Sequence, residues 1–331
     1  MAFSDDPQGT WNTYMQQRRS IKQIQGVVAV GLSVPNVMAY ARRLSPGMIR
    51  ELPEDVGGIP LVVKETGSFL NMSYMNYPPS SPRTTVYRPA PGGISVGHYL
   101  GSTGTHGCAI TDNYDGQVKG IGSGHVTYLQ WGNMVDGMIG DIIVQPGLHD
   151  AADAPGLGYL ERGIVVPPIE SGSAKVDAAI YSGDFDMEVI GIGLPSYAAR
   201  MEPGMLCGMS GRSGMKRTVL ESVGAIVDVE GYGVARLEDV AITRDGVAIG
   251  GDSGALLFDN WARSLGIVAA GNSFGSVVCE AVETEFELGV TFGFADPHLL
   301  NLQDLPSVAG FAWAPLLVGG LLVYYAIRSG R

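Results

Sequence analysis

The sequence predicts a mainly β chain, a barrel or sandwich of short strands, and three observations carry that reading. Short apolar or alternating runs recur from Gly92 onward, among them "GCAIT", "DIIVQ", "GIVVP", "VDAAIY", "VGAIVDV", "DVAIT", "GALLF", "LGIVAAG" and "LGVTFG". Turn signals such as "DNYDG", "EPG", "RDG" and "FDNWARS" separate them, and no long helical period interrupts them before the end of the chain. Glycine is abundant, 48 of 331 residues, and is spread through the chain without a repeat, as many tight turns between strands require.

The elements before Gly92 read differently. "GVVAVGLSV" predicts a strand, "PNVMAYARRL" a short amphipathic helix, and "ELPEDVGGIPLVVKETG" a turn and then a strand. Together they make a small α/β segment over residues 1–70. The stretch 71–91, rich in Pro, Ser and Tyr and without apolar period, reads as a linker. Residues 92–304 hold the strand-rich domain, with "DPHLLNLQDL" as a short helix near its end. Residues 305–331 form a tail whose Val308 to Ile327 carries no charge and is followed by Arg328 and Arg331. Spanning a bilayer takes roughly 20 apolar residues. Trp313 near one end and Tyr324 and Tyr325 near the other suit interfacial anchoring. The expectation is a C-terminal apolar helix that crosses a membrane and makes the chain membrane-associated, with the alternative of a buried terminal helix. The polar N-terminus has no secretory signal, so the side of the membrane is left open.

Composition excludes some functions. A formal charge of −12 with no compensating Lys/Arg stripe argues against nucleic acid, whose phosphates would be repelled. Cys108, Cys207 and Cys279 are far apart and form no CxxC pair, so neither a disulfide framework nor a zinc site is expected. No metal and no cofactor are called for.

The chemistry-bearing stretch is "GGDSGALLFD", Gly250 to Asp259. By itself it is a set of turn-forming residues before a buried strand. Ser253 becomes a candidate nucleophile if the chain supplies a base and an acid to orient it, because a serine hydroxyl is a poor nucleophile near neutral pH. There are five histidines. His125, in "KGIGSGHVTYL", follows a glycine-rich approach near a strand end, while His98, His106, His149 and His298 lie in less suggestive settings. The acid should be a carboxylate on an otherwise apolar element. Asp177 in "KVDAAIY" meets this, and Asp141 in "GDIIVQPG" is its competitor; both can also be read as turn residues at strand entrances. Gly251 and Ser253 are candidates for the backbone N–H pair of an oxyanion hole, since glycine lets the amides turn without Cβ interference. Asp252 would be a structural acid beside it.

Together, His125, Asp177 and Ser253, in "GHV", "VDAAI" and "GDSGALLF", resemble the chymotrypsin/trypsin-like serine peptidases, in the same chain order. The motif series "ELPEDVGGIPLVV", "RPAPGGISVGH", "GTHGC", "SGHV", "GDIIVQPG" and "VDAAI" is similar to a bacterial and phage branch of that family, which plant Narrow leaf 1 proteins also resemble. The likeness covers most of residues 25 to 305. It departs at "GSGHV", where the branch has "NNHV", at Ser213-Gly214, where it has a Thr-Thr pair, and in the apolar tail. The resemblance implies two six-stranded antiparallel β-barrels, with His125 and Asp177 on the first, Ser253 on the second, and a cleft between them. It implies a serine endopeptidase acting on protein or peptide substrates, or, if catalytically idle, a binding or structural scaffold. A self-processing protease cut near Tyr77 to Arg88 is a narrower alternative. The residue six before the nucleophile, Val247, would form the base of the side-chain pocket, with Ala269, Ala270 and Gly271 as its wall. None is charged, so an apolar side chain of small or medium size is expected there.

Overall fold

The computed structural model describes residues 7–71, 82–296, 298–307, 312–318 and 321–327. Residues 72–81, most of the expected linker, lie outside it.

Two rings of antiparallel strands dominate. In the first, Ile94–His98 pairs with Gly104–His106, and Cys108–Asp112 with Val118–Gly122. Ala179–Tyr181, Gly156–Gly163 and Ile142–Val144 then follow in spatial order, the last pairing back onto Ile94–His98. Gly107 joins Gly104–His106 to Cys108–Asp112 and makes them one bent strand that closes the ring. A Cβ there would lie 2.6 Å from the Gly254 carbonyl oxygen, so the corner admits only glycine. The second ring runs Leu206–Gly211, Leu256–Asp259, Arg263–Asn272, Gly275–Glu280, Gly233–Thr243 and Gly214–Gly231, which returns to Leu206–Gly211. Most of the runs picked out in the sequence are these strands; "GIVVP" makes only an isolated bridge, Val166 to Trp131.

An apolar cluster drawn from both rings, including Cys108, Ile121, Ile180, Leu256, Phe258 and Ile267, cements them together. Polar ties reinforce it. Arg83 donates to the carbonyl oxygens of Gly93 and Gly211, at 3.2 and 2.8 Å. The buried Arg212–Asp150 ion pair spans the two halves, with Nε to Oδ2 at 2.8 Å.

The N-terminal segment extends the second ring's sheet. Val27–Ser33 pairs antiparallel with Gly214–Gly231, Asn36–Ala41 folds back on Val27–Ser33, and Ile59–Glu65 pairs parallel with Asn36–Ala41. The amphipathic helix expected in "PNVMAYARRL" is therefore a strand. Its residues 37–41 are buried, held between a partner strand on each edge, and a run that short carries no period able to separate helix from strand. A helix forms instead at Pro7–Lys22, where Trp11, Tyr14, Arg18 and Ile21 recur at helical spacing. The sequence concealed it because its inward stripe contains cations, Arg18 on Asp239 at 2.7 Å and Lys22 on Asp228 at 2.5 Å. A second unforeseen helix spans Ala281–Leu288, and "DPHLLNLQDL" holds a single 3-10 turn, Leu302–Asp304.

The tail also departs from expectation. Ala312–Val318 and Leu321–Ile327 are antiparallel strands, and the second pairs parallel with Ile59–Glu65. No helix among the described residues is long and apolar enough to cross a membrane, and strands stand at 312–318 and 321–327 where the apolar helix was expected; the rest of that stretch, 308–311 and 319–320, lies outside the described residues. The physical reasons combine the sequence with an available strand edge. Pro315 removes a helix donor, Gly319-Gly320 divides the apolar run, and Val and Tyr suit a strand with an edge available to pair.

Candidate active site

Val118–Gly122 ends at Ser123, and a single helical turn, Gly124–Thr127, carries His125. Asp177 lies two residues before the first-ring strand Ala179–Tyr181 and is fully buried. These two elements face each other. The Asp177 carboxylate accepts the His125 backbone N–H at 2.9 Å on Oδ1, and Oδ2 lies 2.5 Å from His125 Nδ1. The carboxylate therefore fixes both the main chain and the ring of the histidine, and favours the tautomer with its proton on Nδ1. His125 Nε2 is then left facing Ser253 Oγ at 2.8 Å. The Trp131 ring stands edge-on to the imidazole, 5.3 Å between centroids. Exposure is 0 % for His125 and Asp177 and 1 % for Ser253, so solvent screens none of these contacts.

Ser123 is a further member that sequence reasoning missed. Its hydroxyl donates to Asp177 Oδ2 and lies 2.9 Å from His125 Nδ1. In "GSGHV" it reads as turn chemistry, and its spacing two residues before His125 was the one available signal.

The turn that carries Ser253 is built by contacts from Thr105 of the first ring. Thr105 N–H donates to the Ser253 carbonyl oxygen at 2.7 Å, and Thr105 Oγ1 donates to the Gly251 carbonyl oxygen at 2.8 Å. Gly251 and Gly254 have φ of 90° and 93°, a region favouring glycine on both sides of Ser253. Asp252 is buried inside the turn. It accepts the Ser213 and Ile249 amides at 2.8 and 3.1 Å and the Ser213 hydroxyl at 2.5 Å, with Lys216 Nζ at 3.3 Å. It is a scaffold for the turn, and Ser213 is one of its partners.

The remaining candidates are placed elsewhere. Asp141 caps the Met138 amide at 2.7 Å and pairs with His98 Nε2 at 3.1 Å, so its turn reading holds. His106 sits inside the first ring against Tyr181 Oη, 2.8 Å, where burial pushes its pKa down to about 3. His298 Nε2 meets the Ile192 carbonyl oxygen at 3.0 Å. His149 lines a cavity of about 250 Å³ that also reaches His125, Leu129, Met134 and Tyr232. Val247 is buried in an apolar cluster with Ala248, Val268 and Val278. Ala269, Ala270 and Gly271 lie on the strand next to the nucleophile turn, where Gly254 N–H donates to the Val268 carbonyl oxygen at 2.8 Å. The three cysteines are free and buried, and burial pushes the Cys279 thiol well up beside the Asp177 amide that it accepts at 3.3 Å. An acidic group of Asp112, Asp115 and Glu161 near the first ring's surface is paired with Arg162 and Lys119.

This arrangement can remove a proton from Ser253 Oγ through His125 and hold the resulting imidazolium on Asp177. No family model matches the chain, and no curated protein does. Among solved structures it is similar to a glutamic-acid-specific serine protease at 19 % identity and TM-score 0.44, over 61 % of this chain and 98 % of that one. It is similar to Nocardiopsis protease at 18 % identity and TM-score 0.44, over 61 % and 97 %, and to Thermobifida fusca protease A at 13 % identity and TM-score 0.45, over 62 % and 98 %. The solved structures that this mainly β chain is similar to include chymotrypsin/trypsin-like serine proteases.

Proposed function

We propose that the chain is a serine endopeptidase whose two rings act as the two barrels of a trypsin-like peptidase. The observation that carries this reading is the continuous line Ser253 Oγ, His125 Nε2, His125 Nδ1, Asp177 Oδ2, with contacts of 2.8 and 2.5 Å. Ser253 Oγ attacks the peptide carbonyl carbon while its proton passes to His125 Nε2. The oxyanion that forms is held by the Gly251 and Ser253 N–H groups. His125 then gives the proton to the leaving amine, the C–N bond breaks, and an acyl-enzyme remains on Ser253. Water, deprotonated by His125, releases the acid and restores the serine. Asp177 orients the ring and stabilises its cation throughout.

The pocket reading follows the same register: Val247, Ala269, Ala270 and Gly271 select an apolar side chain before the scissile bond. A peptide-library profile dominated by cleavage after Lys or Arg would refute that selection.

A second reading is favoured by burial. A Ser253 at 1 % exposure also suits a trypsin-like scaffold kept for binding or structure. One experiment separates the two. A fluorophosphonate should label the folded wild type and not Ser253→Ala; an unlabelled wild type refutes the peptidase.

A further inference from the structure

A peptidase of this architecture must take its substrate as an extended chain laid along a strand edge that passes the nucleophile. Arg263–Asn272 is that strand, tied to the nucleophile turn where the Gly254 N–H donates to the Val268 carbonyl oxygen and the Val268 N–H to the Ala255 carbonyl oxygen. One of its edges is used by Gly275–Glu280, with Ala270 opposite Val277 and Gly271 opposite Ser276. The other edge is used by the chain's own strand Phe69–Asn71, antiparallel, with Gly271 opposite Leu70 and Ala270 opposite Asn71. Because the pairing is antiparallel, the direction from Leu70 to Asn71 runs from Gly271 to Ala270, toward Val268 and hence toward Ser253. That is the direction in which the acyl half of a substrate must run to present its carbonyl to the serine.

The strand is firmly seated. Phe69 is fully buried in the cluster that contains Trp131, Ala269, Ala270 and Val277, and meets Tyr40 edge-on at 6.1 Å. Asn272 Nδ2 donates to the carbonyl oxygens of Thr66 and Ser68, each at 3.0 Å. Ser68 Oγ donates to Glu230 at 2.9 Å, and the strand's far edge pairs parallel with Val229 and Glu230.

We propose that Phe69–Asn71 is an intramolecular occupant of the peptide-binding edge, so that a substrate reaches Ser253 only when this strand leaves. The inference rests on the peptidase reading above. It assigns the N-terminal segment a role as the device that delivers a competitor to the site. The competent population is the fraction with the strand out, and apparent affinity falls by that fraction.

The test compares wild type with Leu70→Pro, which removes the Leu70 N–H and unsuits the strand for pairing while leaving every triad residue intact. Both are measured for fluorophosphonate labelling and for hydrolysis of an N-acylated tetrapeptide chromogenic amide. The expected result is a kcat/KM at least tenfold higher in Leu70→Pro, through KM, with labelling changed much less. An unchanged or lower kcat/KM in a variant that still labels overturns the proposal. Should Leu70→Pro not fold, wild type is examined by hydrogen exchange with and without an N-acylated tetrapeptide boronate. Loss of amide protection at residues 69–71 on binding supports the proposal, and retained protection overturns it. Absence of both labelling and boronate binding refutes the peptidase itself, and this inference with it.

Discussion

Replacing Ser123 by alanine tests how the buried triad is held. Asp177 is fully buried, and its carboxylate has three close donors: the His125 amide, the His125 ring and the Ser123 hydroxyl. The substitution removes the third and leaves two. A hydrogen bond to a charged group contributes about 1.5–3 kcal/mol. If that energy serves to hold Asp177 against the imidazolium that forms in the transition state, its loss lowers kcat/KM between about tenfold and about a hundredfold, at about 1.4 kcal/mol per decade. Asp177→Asn, which also leaves the histidine in the wrong tautomer, should cost on the order of ten-thousandfold. Because Ser123 acts through Asp177, the double variant Ser123→Ala/Asp177→Asn should lose far less than the product of the two single losses. The assay is kcat/KM on the tetrapeptide amide for the four members of the cycle, with melting curves to verify folding. Activity of Ser123→Ala within twofold of wild type refutes the positioning role. So does strict multiplicativity, which would mean that Ser123 acts without Asp177.

Three other outcomes are expected. Gly254→Ala should destabilise by at least about 2 kcal/mol and abolish labelling, because φ is 93° and the new Cβ would meet the Thr105 carbonyl oxygen at 2.2 Å; a normally labelled, stable variant refutes this. Arg212→Met strands the Asp150 carboxylate where both partners are 2 % exposed, so urea denaturation should report a loss of about 3–5 kcal/mol, much of it regained in Arg212→Met/Asp150→Asn; a loss under about 1 kcal/mol refutes the pair's burial. His106 titrates near 3 when folded against 6.5 for an ordinary histidine, since burial penalises its cation. The unfolded chain thus binds the extra proton between those values, so the stability is fully present above pH 6.5 and falls as pH drops toward 3. Wild type should lose more stability than His106→Gln over that window, and identical pH slopes would refute it.

Legibility from sequence followed the range of the interactions involved. His125, Asp177 and Ser253 could be singled out as candidates because proton transfer to a nucleophile needs those residue types, and their motifs occur in the order of the family that the chain resembles. The short strands were readable for a similar reason, since alternation and turn residues are properties of neighbouring positions. Ser123 escaped because its partner, Asp177, is more than fifty residues distant, and nothing local separates it from a turn serine. Pro7–Lys22 escaped because its buried stripe includes Arg18 and Lys22, whose counter-charges Asp239 and Asp228 lie on the opposite side of the sequence.

The largest misreadings, Asn36–Ala41 and the tail, share one cause. Both are apolar runs whose composition permits helix or strand, and each is resolved by a free strand edge, one at Val27–Ser33 and the other at Ile59–Glu65. Residue patterns and the motif resemblance singled out candidates for the acid, the base and the nucleophile, and the strand-like runs marked the chain as mainly β. Closing the rings, bringing Nε2 to 2.8 Å from Oγ, and laying Phe69–Asn71 along the strand beside Ser253 all required pairing between distant segments. Such pairings are decided by which backbone donors and acceptors remain unpaired once the rest of the chain has folded, and no local pattern of side chains records that.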